Sequence, residues 1–210
     1  MKFFNNFLLK LFIRVNNLSY QQINRLSTKL NGGVHPKHEI MKYFNFFNNY
    51  IEEGSRILDV GCGIGFVSYK LAKKAKFVYG IDNNKQAIEY AVRYHSRDNI
   101  QYILGDILSH NFKEKFDYVI LSNVLEHIKD RYQFLTVLKN LTKNFLIRVP
   151  MINRSWLPIY MKNLGFDYRL DSQHYIEYTL ETFKEEIDKV GLIIKSYTIQ
   201  FGEIWAIVKN

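Results

Sequence analysis

Asp59, Gly61, Gly63 and Gly65 stand at alternate positions within the stretch Arg56–Val67, and this is the densest chemical pattern in the chain. An apolar run, Ile57, Leu58 and Val60, leads into it, and Phe66, Val67, Tyr69, Leu71 and Ala72 leave it at helical spacing. The pattern predicts a strand, a tight glycine turn and a helix start. Glycine adopts positive φ and lets a ligand approach without meeting a Cβ. The amides that open the following helix turn partial positive charge towards the same spot. A small, partly anionic ligand is therefore expected over residues 61–65. Cys62, the only cysteine, sits where the turn wants a small residue and reads as packing; it allows no intramolecular disulfide.

Two further acids follow apolar runs and so fall at strand ends. Asp82 lies 21 positions after Gly61, and a carboxylate there can accept two hydrogen bonds from a ribose diol. Asp106 ends the next run. Each strand-end acid has a bland alternative as a helix cap, which weakens when both fall at matching offsets from one glycine turn. The third glycine comes one place too early for a dinucleotide G-x-G-x-x-G turn. With Asp59 in front, the pattern instead resembles the class I S-adenosylmethionine-dependent methyltransferases, (Asp/Glu)-x-Gly-x-Gly-x-Gly.

That resemblance implies S-adenosyl-L-methionine as cofactor. It places Asp59, Gly61, Cys62, Gly63 and Gly65 at the cofactor turn and Asp82 on the ribose, with Asn83 against the nucleoside. It also places Asp106 on the adenine amino group, the Ile107 amide on a ring nitrogen and the backbone near Asn123 on the methionine amino group. The run Val124-Leu-Glu-His127 resembles the small-molecule branch that contains the ubiquinone-pathway O-methyltransferases. In those enzymes a Glu three places before the Glu-His pair helps hold a divalent metal. Asn123 stands there in this chain. Hard cations want several oxygens, so no metal is expected. His127 reads equally as a general base, since an imidazole titrates near working pH, and as a packed residue beneath the cofactor.

The elements that must position these groups alternate. Strands are expected at 56–61, 77–82, 100–105, 116–122 and 145–149, with helices at about 65–75, 85–95 and 132–141 between them. A helix at 180–190 and a strand pair at 192–200 and 203–209 follow. This predicts an α/β, doubly wound, mostly parallel seven-stranded sheet ending in an antiparallel hairpin, with helices on both faces. Ligands in such sheets bind beyond the carboxyl ends of the strands. The connection 150–177 is too long to be a simple link, and the resemblance implies a substrate lid there. It supplies His174 as a second candidate base and Arg154, Trp156 and Tyr175 as acceptor contacts, with Arg148 at the edge of the preceding strand. A surface excursion held down by its aromatics is the alternative.

Residues 1–31 are expected to form a separate arm before a methyltransferase domain over 32–210. Phe4, Phe7, Leu8, Leu11, Phe12 and Val15 mark an amphipathic helix over 1–15, followed by a polar stretch over 16–31. The apolar run is too short and interrupted for a secretory signal or a membrane span. The helix either packs on the domain or a partner subunit, or lies on a membrane surface with Lys2, Lys10 and Arg14 towards head groups. His35, Lys37 and His38 open the next helix and are candidate contacts for the cofactor carboxylate or an anionic acceptor, or simply a solvated helix start.

A net charge of +9 over 210 residues, spread without a dense basic block, fits a compositional bias better than a nucleic-acid face. Ser122-Asn-Val-Leu also departs from the Asn/Asp-Pro-Pro-aromatic motif that handles base amines, so nucleic acid is disfavoured as partner. The sequence points to O- or N-methylation of a small molecule, the charge and aromatics leaning towards an anionic, lipid-like or sugar acceptor. A non-catalytic cofactor-binding scaffold and an RNA methyltransferase are the alternatives. A cytoplasmic location is expected, with the arm a potential peripheral contact at the inner membrane surface.

Overall fold

The structure, a computed structural model, describes residues 2–210, with side chains from residue 3 onward. The chain divides into two compact units at residues 45/46.

The first unit is dominated by α1 (Lys2–Leu30), followed by the single turn α2 (Lys37–Ile40). The helix expected over 1–15 runs on through the stretch expected to be polar. The reason is local: no Gly or Pro interrupts residues 2–31, and Ile23, Leu26 and Leu30 prolong the apolar pattern. Hydroxyls of Ser27 and Thr28 bond back to the Asn24 carbonyl at 3.1 and 2.8 Å. The helix stops at Gly32 and Gly33, both at positive φ. The helix expected after Pro36 is broken at Lys42, whose φ of 49° separates α2 from α3 (Tyr43–Tyr50).

The second unit holds one seven-stranded sheet of order β3-β2-β1-β4-β5-β7-β6. The strands are β1 (Arg56–Val60), β2 (Phe77–Asp82), β3 (Ile100–Leu104), β4 (Tyr118–Ser122), β5 (Asn144–Pro150), β6 (Ile193–Gln200) and β7 (Glu203–Lys209). The first five run parallel, and β7 joins antiparallel to both β5 and β6. Helices α4 (Phe66–Leu71), α5 (Lys85–Tyr94), α6 (Arg131–Lys139) and α8 (Leu180–Lys189) make the crossovers. The expected fold is the observed one.

Burial explains the order. Residues 57–60 of β1, 119–121 of β4 and 145–150 of β5 are buried without alternation, as strands covered on both faces must be. These three stand adjacent at the sheet centre. β6, with most of its residues exposed, is an edge. Phe134, Leu135 and Leu138 of α6, and Phe183 and Ile187 of α8, join Tyr178 and the central strands in one core. Fourth in chain order, β4 begins two residues later than expected; Phe116 makes only an isolated bridge to Thr142.

The connection after β5 is built. A 3-10 turn at Ile152–Arg154 leads into α7 (Trp156–Asn163), and a loop returns to Tyr178, which bridges to Met151. Arg154 clamps its two ends by donating to the Met151 carbonyl at 3.0 Å, the Tyr168 carbonyl at 2.8 Å and the Glu177 carboxylate.

Candidate functional site

The carboxyl ends of β1, β2, β3 and β4 open onto a cavity of about 840 Å³. Its wall includes Gly61, Asp82, Asn83, Asp106, Ile107 and Asn123, six of the ten residues that the sequence assigns to a cofactor. The parallel sheet produces this convergence, because every parallel strand delivers its last residue to the same edge.

Gly61, Gly63 and Gly65 all adopt positive φ, at 66°, 53° and 76°. A Cβ on Gly61 would stand 2.7 Å from Cγ2 of Val124, so the close approach of the β4 turn demands glycine there. The Gly61 and Cys62 amides both donate to the Ile81 carbonyl, at 2.8 and 3.2 Å, which locks the turn to β2. Cys62, Gly63 and Gly65 form the turn without lining the cavity. Cys62 is buried as expected, and burial pushes its thiol well above the usual range, with the charges of Asp59 and Asp82 adding to the effect.

Asp59 is placed differently from the expectation. Only 1% exposed, it lies beneath the turn and accepts from Ser68 Oγ at 2.6 Å, tying β1 to α4. Its carboxyl is pushed up to about 7, chiefly by burial; the Ser68 hydrogen bond opposes the shift and the nearby charge of Asp82 reinforces it. Asp59 therefore braces the turn from behind.

Asp82 is held by two backbone amides, Asn84 N to Oδ1 and Gly63 N to Oδ2, each at 2.8 Å. A carboxylate has about four acceptor positions, so two remain for a ligand diol. Asp106 accepts from Leu108 N at 2.9 Å, which fixes its orientation on the cavity wall. Asn123, between β4 and the 3-10 turn at Leu125–His127, has a φ of 59°. Its Nδ2 donates to Glu203 Oε1 at 3.3 Å, while Oδ1 is buried with no hydrogen-bond partner among the described residues. Such an orphan acceptor is costly and suits a ligand that brings a donor.

The far wall is the returning loop. Arg169, Ser172, Gln173, His174 and Tyr175 of this loop line the cavity together with His127. Tyr175 N donates to the Glu126 carbonyl at 2.7 Å and pins the loop to the 3-10 turn. The rings of His127 and His174 meet edge to face, with centroids 4.6 Å apart. Both candidate bases thus face one cavity from elements 47 residues apart in the chain. Burial, and then the charge of His174, push the His127 imidazole below its usual range, against weaker opposition from Asp171 and a backbone bond at Gln173. His174 is itself buried, and its Nδ1 lies 3.3 Å from Oε1 of the buried Glu177.

Glu177 escapes sequence reasoning because the connection has no periodicity to interpret. Only the spacing His174-x-x-Glu177 hints at a pair. The fold also gives Glu126 and His127 a third companion: donor atoms of Glu126, His127 and His174 lie within 4.8 Å of one another. The sequence shows the adjacent pair alone.

The expected substrate contacts divide. Tyr175 lines the cavity. Arg154 is spent on closing the connection, as described above. Trp156 is 72% exposed at the start of α7, tilted against Tyr160 and off the cavity wall. Arg148 is a correction: it is 2% exposed and pairs with Glu203 through Nε and Nη2, at 2.9 and 2.8 Å, while Nη1 reaches Ser122 Oγ at 2.9 Å. The antiparallel β5–β7 pairing brings Glu203 to it, so Arg148 fixes the sheet and does not face an acceptor. His35, Lys37 and His38 belong to the first unit. There His35 Nε2 meets Asn24 Oδ1 at 3.2 Å, His35 Nδ1 accepts from Lys37 N at 3.0 Å, and His38 bonds Tyr43.

Residues 51–194 match the family described as a methyltransferase domain. A ubiquinone biosynthesis O-methyltransferase from Proteus mirabilis is 30% identical over 135 residues, covering 59% of this chain and 55% of that protein. N-methyltransferase 4 of Papaver somniferum is 32% identical over 116 residues, covering 50% of this chain and 33% of that protein. The chain thus spans between a third and just over half the length of these curated relatives. Among solved structures, the magnesium protoporphyrin IX methyltransferase of Synechocystis, with S-adenosylhomocysteine bound, shares the fold. It superposes with a TM-score of 0.62 at 17% identity, covering 82% of this chain and 80% of that one.

Proposed function

This chain belongs to the methyltransferase-domain family, and we propose that it uses S-adenosyl-L-methionine to methylate a hydroxyl oxygen of a small molecule. The observation that carries this reading is the cavity itself. Two strand-end carboxylates and a pair of imidazoles in contact line one space, which is large enough for a nucleoside and a small acceptor.

The residues present fit the cofactor. Asp82, steadied by two amides, offers its remaining lone pairs to the ribose diol. Asp106 and the Ile107 amide address the adenine edge. The orphan Oδ1 of Asn123 offers an acceptor for the methionine ammonium. When bound, the cofactor supplies a methyl group already activated by its sulfonium, so the protein's tasks are to orient the acceptor, exclude water and take one proton.

His174 is the group for that proton. Nδ1 faces Glu177, so in the neutral ring with the proton on Nδ1 the free acceptor is Nε2. An acceptor O–H donates its proton to this nitrogen as its oxygen takes the methyl group. His127, kept neutral at neutral pH by burial, is the second imidazole within reach of the acceptor. An amine acceptor arriving uncharged would need no such base, so a buried, carboxylate-oriented histidine favours oxygen. The relatives include both O- and N-methyltransferases, so the choice of oxygen rests on the histidine pair.

The test is calorimetric titration of the chain, and of Asp82→Ala, with S-adenosylmethionine and S-adenosylhomocysteine. Saturable binding that weakens at least tenfold in Asp82→Ala is expected. Equal affinity in the two proteins, or no binding by the unmodified chain, overturns the assignment.

A further inference from the structure

Helix α1 carries an exposed apolar stripe. Phe4, Phe7, Leu11, Val15 and Leu18 recur every three or four residues and are 44–61% exposed, and Phe12 beside them is 64% exposed. Exposed apolar area of this extent on one helix face marks a surface that binds something. Among the described residues no helix is long and apolar enough to cross a membrane, so α1 does not insert end-on.

The charges on α1 identify the occupant. Over Lys2–Leu30 the helix holds Lys10, Arg14, Arg25 and Lys29 besides Lys2, and not one Asp or Glu. At 100° per residue, Lys10 and Arg14 flank the stripe on one side, where long basic side chains can reach head groups while the stripe enters the acyl boundary. A second copy of α1 docked on the stripe would bring these like charges together. An anionic lipid surface would neutralise them. We propose that α1 is an interfacial helix that docks the protein on an anionic bilayer surface through the Phe4–Leu18 stripe and its basic flank. The inference stands independently of the methyl-transfer reading.

The test is flotation of the 210-residue chain with vesicles of phosphatidylcholine alone and of phosphatidylcholine mixed with phosphatidylserine. Each basic residue near an anionic surface changes partitioning by roughly fivefold. The double variant Lys10→Gln with Arg14→Gln should therefore bind the mixed vesicles about 25-fold more weakly. Phe7→Ser with Leu11→Ser should lose about tenfold or more. Because these side chains are exposed, the thermal unfolding midpoint should stay put in both variants. Binding to mixed vesicles alone, weakened by salt and by both variant pairs, is the expected result. Equal flotation with both vesicle types, flotation untouched by either pair, or no flotation together with a dimer that Phe7→Ser/Leu11→Ser disperses, overturns the proposal. The last outcome would make a second copy the occupant.

Discussion

His174 and Glu177 share a buried hydrogen bond, Nδ1 to Oε1 at 3.3 Å, while the rings of His174 and His127 meet edge to face. Glu177 also receives Arg154 and the Leu170 amide, so the acid that orients the imidazole is itself fixed from two further directions. A base oriented in this way loses little entropy when its acceptor arrives, which is the advantage of a preorganised site.

His174→Gln should lower kcat by about 100-fold or more, the usual cost of losing a general base, with the affinity for S-adenosylmethionine unchanged. Glu177→Gln should lower kcat by about tenfold to a hundredfold, as loss of an orienting partner does. Steady-state kinetics beside calorimetry separate the two effects. A rise in KM at unchanged kcat would instead make the pair part of acceptor binding. Dialysis against a chelator should leave kcat unaltered. Activity lost on chelation and restored by a divalent ion would assign the Glu126, His127 and His174 cluster to a cation instead.

Asp59 makes stability depend on pH. Its folded carboxyl titrates at about 7 against an ordinary value of 3.8, so between these values the folded protein binds more protons than the unfolded chain. Stability from this group is therefore present at low pH, declines as pH rises from about 4 to about 7, and is flat above. The integrated effect is roughly 4 kcal/mol. Asp59→Asn keeps an acceptor for Ser68 and removes the titration. Urea unfolding midpoints compared across pH should show the variant gaining on the unmodified protein up to neutral pH. Parallel curves would mean the carboxyl is not shifted.

Arg148 and Glu203 form a buried ion pair, with side chains 3% and 8% exposed. Trp205 Nε1 and Asn123 Nδ2 both donate to the same Glu203 carboxylate, at 2.9 and 3.3 Å. Removing one partner strands a buried charge, so Arg148→Met should destabilise the fold by about 3–5 kcal/mol, and Arg148→Met with Glu203→Gln by less. Chemical denaturation of the single and double variants measures this. A single variant as stable as the parent would return Arg148 to the list of acceptor contacts.

The sequence alone determined the strand–turn–helix at Arg56–Leu71, the alternation of strands and helices, and the offsets of Asp82 and Asp106. These are local matters. Glycine at positive φ, apolar runs and helical periods act over a few residues, and in a parallel sheet strand ends converge without further instruction. Tertiary structure decided the rest. It sealed Asp59 under the turn, where sequence placed it beside the ligand. It turned Arg148 onto Glu203, 55 positions away, and put His174 against His127 and Glu177 by folding an aperiodic connection back across the cavity. Side-chain partners at such separations are chosen by which strands pair and which loop closes, and a linear pattern carries no record of either. The same holds for α1. Its apolar period was visible, but the exposure of each side chain along it is a property of the folded unit and not of any residue in it.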